Sequence, residues 1–310
     1  MPQASPVAPP IAISYVTSMA RPDAALALAA IHGLEGRRES RTGAICVAGG
    51  GLEAAIFCDI VERFYAVGPP RGSNEVLPIG LDLVTPLPPD APMVRAVVER
   101  KNDKGELVYP RSIRKPTDTA LAEAQLRNGV ASRREVAFVL SAPAGPLARV
   151  LDLQGVKDLF AARVRRLVLV DSGAPQADVP ALRRVLREWP SPVVWCSREV
   201  GESLAFPGNS VTTDFGWTSA HPVADAYRAF KAMPYDAPSY DLAAAYYAAR
   251  PDAGFFHVSA TGSLSVSDAG RVMFTPGGGT ALSLGVEPSM REALLRDFVA
   301  VTSARPRSPV

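Results

Sequence analysis

A chain of 310 residues with 33 Lys and Arg against 31 Asp and Glu carries a formal charge of only +2, too little to point to a nucleic-acid partner. Its 47% hydrophobic content is enough for a large buried core, yet no stretch approaches the roughly 18 consecutive apolar residues that a membrane span requires. Three cysteines, Cys46, Cys58 and Cys196, sit in apolar runs without C-x-x-C spacing and read as buried free thiols, not as a disulfide or metal framework.

The opening "MPQASPVAPP", residues 1–10, lacks the basic and apolar regions of a signal peptide and, rich in Ala and Pro, is expected to be a disordered leader. As written the chain reads as cytoplasmic; the same leader also suits a periplasmic or secreted chain whose signal has been removed. The run "IAISYVT" predicts a first strand, followed by a short loop and a helix over 23–34 behind Pro22. Strands are then predicted at "AICVAG", "LPIGLDL", "VAFVLSA", "RLVLVDS" and "PVVWCS", alternating with helices over 52–64, 119–128, 145–153 and 179–189. Such alternation implies βαβ units, hence an α/β fold with a mainly parallel central sheet and helices on both faces. The strands are apolar throughout, as burial of both sheet faces requires.

Residues 84–117 break this rhythm. They are rich in Pro and charge and predict a long surface excursion, with a hairpin around Lys104 and Gly105. After residue 200, helices over 222–232 and 239–249 lead into "FFHVSATGSLSVSDAGRVMFTPGGGTALSLGV". Alternation there, with turns at 260–262, 268–270 and 277–279, predicts a small C-terminal antiparallel meander. A last helix, "SMREALLRDFVAVT", has Ser289 as its expected N-cap. With no repeat and no linker, residues 11–305 are expected to form one domain. The arginines Arg163, Arg165 and Arg166, without interleaved aromatics, read as a solvated face.

Several motifs invite a function and then fall short of it. In "VAGGGLEAA", Gly49, Gly51 and Ala54 satisfy G-x-G-x-x-G/A between a strand and a helix, as a dinucleotide site requires. The acidic residue expected about twenty positions on is missing, since "FYAVGPP" occupies that region. No G-x-S-x-G elbow is present, and Ser172 in "VDSGAP" lacks the partners of a triad. The three histidines, His32, His221 and His257, fit no metal spacing; His32 reads as a helix-face residue and His221 as a helix-start residue.

Taken in order, "PDAALALAAIHG", "GAICVAGGGLEAA", "SAPAGPLARVL" and "RRLVLVDSGAP" resemble successive elements of the inosine-uridine-preferring nucleoside hydrolase family. The closest stretch is "HPVADAYRAFKAMPYDAPSYDLAAAYYAARPDAGFF", similar to exported bacterial members in which an aromatic-Asp pair opens a late helix. The resemblance implies cleavage of the N-glycosidic bond of ribonucleosides with one Ca²⁺ that holds the attacking water and the ribose hydroxyls. Laid on this chain, the four acidic positions of the family's D-x-D-x-x-x-D-D motif fall on Thr17, Met19, Asp23 and Ala24. Asp23 alone survives, at a position that binds ribose hydroxyls. The calcium-binding backbone carbonyl matches Ala144, expected to remain available, and the late Asp ligand matches Asp241. The neighbouring position, often a His acting as acid, is Tyr240; an Asn after the second strand matches Gly50; and "PQADVPALR" does not reproduce the Asn/Glu-rich ribose loop.

Calcium takes six to eight oxygens, with affinity set by the carboxylates supplied, and a thioether serves it poorly. Met19 and Ala24 remove two charged ligands, so the resemblance implies a nucleoside-hydrolase-like protein without tight calcium binding and with no cofactor; Ca²⁺ would enter only if more oxygens converge than this count gives. A nucleoside- or sugar-like small molecule is then the expected partner, bound near Asp23, Met19, Gly50, Ala144, Glu199, Tyr240 and Asp241, with no nucleic acid and no membrane. Pairing with a second copy or an active relative is compatible with this reading. An alternative is a metal-independent N-glycoside hydrolase using Asp23, Asp241 and Tyr240, although an unperturbed Asp, with a pKa near 4, is a weak base at neutral pH. A further alternative is a nucleotide-dependent enzyme using the Gly49–Gly51 turn.

Overall fold

The computed structural model describes residues 10–66, 78–85, 91–171 and 175–306. Residues 1–9 of the expected leader and Ser172 lie outside them. A nine-stranded sheet is built, in chain order, from β1 (Ala12–Thr17), β2 (Arg41–Val47), β3 (Gly80–Leu81), β4 (Ala120–Leu121), β5 (Val136–Ser141), β6 (Val164–Val170), β7 (Val193–Cys196), β10 (Phe256–Val258) and β13 (Leu282–Val286). Two-residue strands β8 (Ala205–Phe206) and β9 (Ala237–Pro238) pair with each other. The hairpin strands β11 (Gly262–Val266) and β12 (Val272–Pro276) form a third, separate sheet.

Across the large sheet the order is β10-β13-β7-β6-β5-β1-β2-β3-β4, and every pair is parallel except β10 with β13. The chain starts at the centre, runs outward on one side through β4, and returns to lay β5 against the other side of β1. The topological switch therefore lies between β1 and β5, the place where open α/β sheets bind ligands at the carboxyl ends of their strands. β1 and β5 are buried along their whole lengths, in keeping with their mainly apolar runs.

The first strand leads into α1 (Pro22–Gly36), which opens with Pro22 in its first turn and Asp23 behind it. Proline's fixed φ suits that position, and an acid there meets the positive end of the helix dipole. The helix is rich in alanine and leucine and buried on nearly every side, because it runs between α11 (Tyr240–Ala249) and α12 (Arg291–Thr302). Its crossing with α12 is tight enough that a β-carbon on Gly33 would lie 1.9 Å from the Val301 carbonyl oxygen. Helix α11, also packed on α1, is likewise rich in buried small residues, among them Ala244, Ala245 and Ala248.

The other helices are α2 (Gly51–Tyr65), α3 (Pro92–Val98), α4 (Ala122–Ala131), α5 (Gly145–Val150), α6 (Val156–Arg163), α7 (Val179–Glu188), α8 (Arg198–Ser203), α9 (Gly208–Thr213) and α10 (Pro222–Phe230). None of the described helices is long and apolar enough to cross a membrane.

Four expectations are corrected. The Pro-rich excursion contains α3, whose Met93, Val94, Val97 and Val98 are buried against α2 and α10; its hairpin does form, with Lys101 bridging Leu107 and Gly105 at φ +78°. Helix α4 starts three residues later than expected because Ala120 and Leu121 pair with Gly80 and Leu81. The C-terminal strands pair antiparallel as expected, β10 with β13 and β11 with β12, but not as one continuous meander. β10 and β13 extend the main sheet beside β7, and only β11 and β12 stand apart as a hairpin. Ser289 does not cap the last helix: it lies in a 3₁₀ turn with its hydroxyl on Glu287, and Met290 is the capping residue.

The three cysteines are free and buried, as expected. Of the three arginines expected on a solvated face, Arg165 is exposed. Arg163 instead donates to the carbonyls of Ala131 and Arg133, and Arg166 lies over the Tyr247 ring.

Candidate functional site

At the switch point Thr17 and Ser141 end β1 and β5 side by side. Beyond Thr17 the chain turns sharply. Met19 takes φ +53°, a conformation costly for a residue with a side chain, and its N–H donates to Thr17 Oγ1 at 3.0 Å. The Met19 side chain is wholly buried. The turn rests on the glycines after β2: a β-carbon on Gly50 would lie 2.3 Å from the Ser18 carbonyl oxygen. Gly50 thus holds the opening loop by having no side chain.

Past this loop, the first turns of α1 and α11 converge. The Asp241 N–H donates to Asp23 Oδ2 at 2.8 Å. Arg21 spans the two carboxylates, with Nε 3.2 Å from Asp23 Oδ1 and Nη2 2.7 Å from Asp241 Oδ1. Ser141 Oγ donates to Asp241 Oδ1 at 2.6 Å, and the Tyr15 hydroxyl donates to Asp241 Oδ2 at 2.5 Å. Every carboxylate oxygen of the pair is therefore met by a donor of the protein itself. Both carboxylates are about 1% exposed, while the Arg21 side chain keeps 30% of its surface.

The electrostatics follow from this closure. Burial, then the charge of Asp241, push the Asp23 carboxyl up to about 7 despite the opposing pull of Arg21. Burial works against the charge on Arg21, but Asp241 and Asp23 outweigh it and hold the guanidinium firmly protonated. Burial and the neighbouring Asp241 raise the Tyr15 hydroxyl well above its usual range, so it stays a donor.

Tyr240 opens α11 beside this group. Its ring lies 5.0 Å from the Arg21 guanidinium carbon and 5.9 Å from that of Arg198, and its hydroxyl reaches Glu202 at 3.5 Å. Glu199 is not drawn in with it. That residue is exposed, its carboxyl held below the ordinary range by a hydrogen bond from Ser197. At Ala144 the carbonyl accepts the Ala148 N–H at 2.9 Å in the first turn of α5. Its own N–H and that of Gly145 donate to Asp178 at 2.7 and 3.1 Å. Asp178 comes from "PQADVPALR", so that segment clamps the start of α5; burial pushes its carboxyl up to about 6.

The Gly-rich turn is left-handed at Gly49 and Gly51, as its pattern suggests. An acidic residue does stand at the end of the next strand, contrary to expectation, because that strand comes later in the chain. It is Asp82, just past β3. Its buried carboxylate is already engaged by Val84 N–H at 2.9 Å, Arg149 Nη2 at 2.8 Å and the Thr85 hydroxyl. The histidines lie elsewhere. His32 is buried in α1 with Nε2 3.0 Å from Glu62, and His257 is exposed on β10. His221 starts α10 among Phe64, Phe215 and Trp217, where burial lowers it to about 3. Clefts of about 470 Å³ (Leu107, Tyr109, Pro110, Arg111, Arg114) and about 280 Å³ (Pro207, Ser210, Asp214, Leu295, Arg296, Val299) share no residue with the Asp23–Asp241 group.

Three members of the group escaped the sequence reading: Arg21, Tyr15 and Ser141. Arg21 stood inside the eight-residue motif, at a position whose identity the motif leaves free. Tyr15 and Ser141 were polar breaks in otherwise apolar strands, the one sequence signal that marked them.

No protein-family model matches the chain, and no curated protein matches it in sequence. Solved structures do match it. An inosine-uridine preferring nucleoside hydrolase from Bacillus anthracis superposes with a TM-score of 0.65 at 14% identity, over 94% of this chain and 99% of that one. A plant nucleoside hydrolase gives 0.64 at 17% identity, over 94% and 99%. The type III effector protein XopQ, solved in complex with adenosine diphosphate ribose, gives 0.65 at 12% identity, over 97% and 96%. At such identities the likeness speaks for the fold, which is nucleoside-hydrolase-like.

Proposed function

We propose that this protein binds a nucleoside- or sugar-like ligand at the β1/β5 crevice and does not carry out calcium-dependent cleavage of an N-glycosidic bond. One observation carries the reading: the Arg21 guanidinium lies across Asp241, which matches the fold family's late calcium ligand, and Asp23, which matches its ribose-binding acid. A divalent cation and a guanidinium compete for the same oxygens. Displacing Arg21 would leave a buried-edge cation beside a metal ion, which repels it. The rest of the donor set does not compensate. Met19 offers only a thioether and Ala24 offers nothing, which leaves the Ala144 carbonyl as the one further matched oxygen, far short of the six to eight that calcium takes. The residues present do not fit calcium.

The alternative of metal-independent hydrolysis gains one point. Asp23, at about 7, is near the range of a useful general base. Yet the burial that raises it also seals it, since Asp241 N–H and Arg21 Nε occupy its two oxygens. For the Gly49–Gly51 turn, support of the opening loop is a sufficient role.

The test is release of free base from a nucleoside panel with and without Ca²⁺, alongside binding of the same nucleosides by calorimetry. Binding without release is the expected result. Calcium-dependent release overturns the proposal.

A further inference from the structure

The chain's surplus of positive charge is concentrated in one segment. Residues 95–118 carry seven Lys and Arg against four Asp and Glu, in a chain whose net charge is only +2. Arg95 and Arg100 pair with Glu53 and Asp225. Arg111 and Arg114 make no ion pair with any described residue, yet both line the cleft of about 470 Å³, together with Leu107, Tyr109 and Pro110. The segment that carries them is held from beneath. Buried Asp59 of α2 accepts Ser112 N–H at 2.5 Å, Ser112 Oγ–H at 2.8 Å and Ile113 N–H at 3.3 Å, and the side chains of Tyr109 and Ile113 are buried. The Tyr109 hydroxyl donates to Asp225 of α10, and Arg111 Nη1 donates to the Val98 carbonyl at 3.1 Å. The acids around the segment are already engaged: Asp59 by Arg63, Asp225 by Arg100 and Arg228, and Asp118 by the N–H groups of Arg114 and Lys115.

We propose that this cleft is a second binding site, separate from the β1/β5 crevice, for a small phosphate monoester with an apolar body. The phosphate would lie between Arg111 and Arg114, and the body against Leu107, Pro110 and the Tyr109 ring. The charges select phosphate over carboxylate. A phosphate monoester carries about −1.5 to −2 at neutral pH on three acceptor oxygens, which two guanidinium forks can share. A carboxylate brings one charge and two oxygens, enough for one fork. A volume of about 470 Å³ is that of a small-molecule site. Leu107 is 41% exposed and Pro110 is exposed, so apolar surface stands in water beside the cations, where a ligand's apolar part would cover it. Because Asp59 and Asp225 fix the segment from below, little ordering is left to occur on binding.

Isothermal calorimetry at constant ionic strength with phenyl phosphate, inorganic phosphate and benzoate tests this on the parent and on Arg111→Gln, Arg114→Gln and Arg271→Gln. Arg271, exposed in the turn of the β11–β12 hairpin, is the control for loss of a surface charge. The parent should bind phenyl phosphate about threefold to tenfold more tightly than inorganic phosphate, and about tenfold more tightly than benzoate. Arg111→Gln and Arg114→Gln should each weaken phenyl phosphate by about tenfold, the low end for a hydrogen bond to a charged group, because both side chains reach solvent. Arg271→Gln should leave it unchanged. The Arg114 side chain makes no hydrogen bond with a described residue, so its variant remains decisive if loss of the Arg111–Val98 bond disturbs the fold. No saturable binding of phenyl phosphate by the parent overturns the proposal, as does equal weakening by all three variants. Benzoate bound as tightly as phenyl phosphate overturns the choice of phosphate, and inorganic phosphate bound as tightly overturns the role of the apolar walls.

Discussion

The backbone N–H of Asp241 donates to the carboxylate of Asp23 at 2.8 Å, joining residues 218 positions apart in the chain. The bond ties the first turn of α11 to the first turn of α1 directly above the switch between β1 and β5. Both acids stand at helix N-termini, where the dipole favours their charge, yet both are buried, where water can no longer stabilise it. The site is defined by that conflict and by the arginine that resolves it.

The first prediction concerns pH. The folded state raises Asp23 to about 7, above its ordinary value of 3.8. Between those values the folded protein holds a proton that the unfolded chain has released. The stability from this group is therefore fully present below pH 4, falls as pH rises, and is gone above about pH 7, with a slope of at most about 1.4 kcal/mol per pH unit. Asp23→Asn removes the titration. Urea unfolding of parent and variant across pH 4 to 8 should show the difference between them shrinking in the parent's disfavour as pH rises. A pH-independent difference would mean that Asp23 is not raised.

Arg21→Ala should destabilise the protein, because it leaves Asp241 and Asp23 buried without their cation. Breaking a buried pair costs roughly 3–5 kcal/mol. The lower end applies here, since Arg21 keeps 30% of its surface and Asp23 can take up a proton. Arg21→Lys, which retains the charge but not the fork, should fall between parent and Arg21→Ala. Chemical denaturation near pH 7 measures both. A loss below about 0.5 kcal/mol in Arg21→Ala would place Arg21 among ordinary surface residues.

A conservative change at Gly50 should be costly for a different reason. A β-carbon there meets the Ser18 carbonyl oxygen at 2.3 Å and the Ala54 β-carbon at 2.8 Å, and neither is the end of a flexible side chain. Gly50→Ala should therefore displace the opening loop and lower stability by about 1–3 kcal/mol. Unchanged stability, with an unchanged fluorescence or circular dichroism spectrum, would show that the loop does not rest on this glycine.

Introducing acids at Met19 and Ala24 tests the proposed role of Arg21 as a resident cation. Met19 already holds φ +53°, which aspartate tolerates better than most residues. The double variant Met19→Asp, Ala24→Asp should gain little calcium affinity, because the guanidinium still spans Asp23 and Asp241. Adding Arg21→Ala should release those oxygens, so that millimolar Ca²⁺ raises the melting temperature of the triple variant and not that of the parent. If the double variant responds to calcium as strongly as the triple, Arg21 does not compete for the site.

Much of the architecture was legible in the sequence because its signals are local. Mainly apolar runs such as "AISYVT" and "VAFVLS" fix buried parallel strands, and the Pro22–Asp23 start of α1 announces itself. The pairing of Asp23 with Asp241 was legible only through family resemblance, since nothing in the spacing of two acids so far apart reveals contact. Arg21 was not legible. Its role depends on the direction of a long side chain at a position the motif leaves open. Helix α3 was obscured by the prolines around it, and the split of β10 to β13 between two sheets by turn signals that a meander shares.

The central claim, that Arg21 takes up the oxygens of Asp23 and Asp241 in place of a metal ion, is tested most directly by titrating Ca²⁺ into the parent protein by isothermal calorimetry at neutral pH. The account predicts no saturable heat at micromolar to sub-millimolar calcium and no change in melting temperature with the ion. Saturable binding in that range, accompanied by a rise in melting temperature, would contradict it.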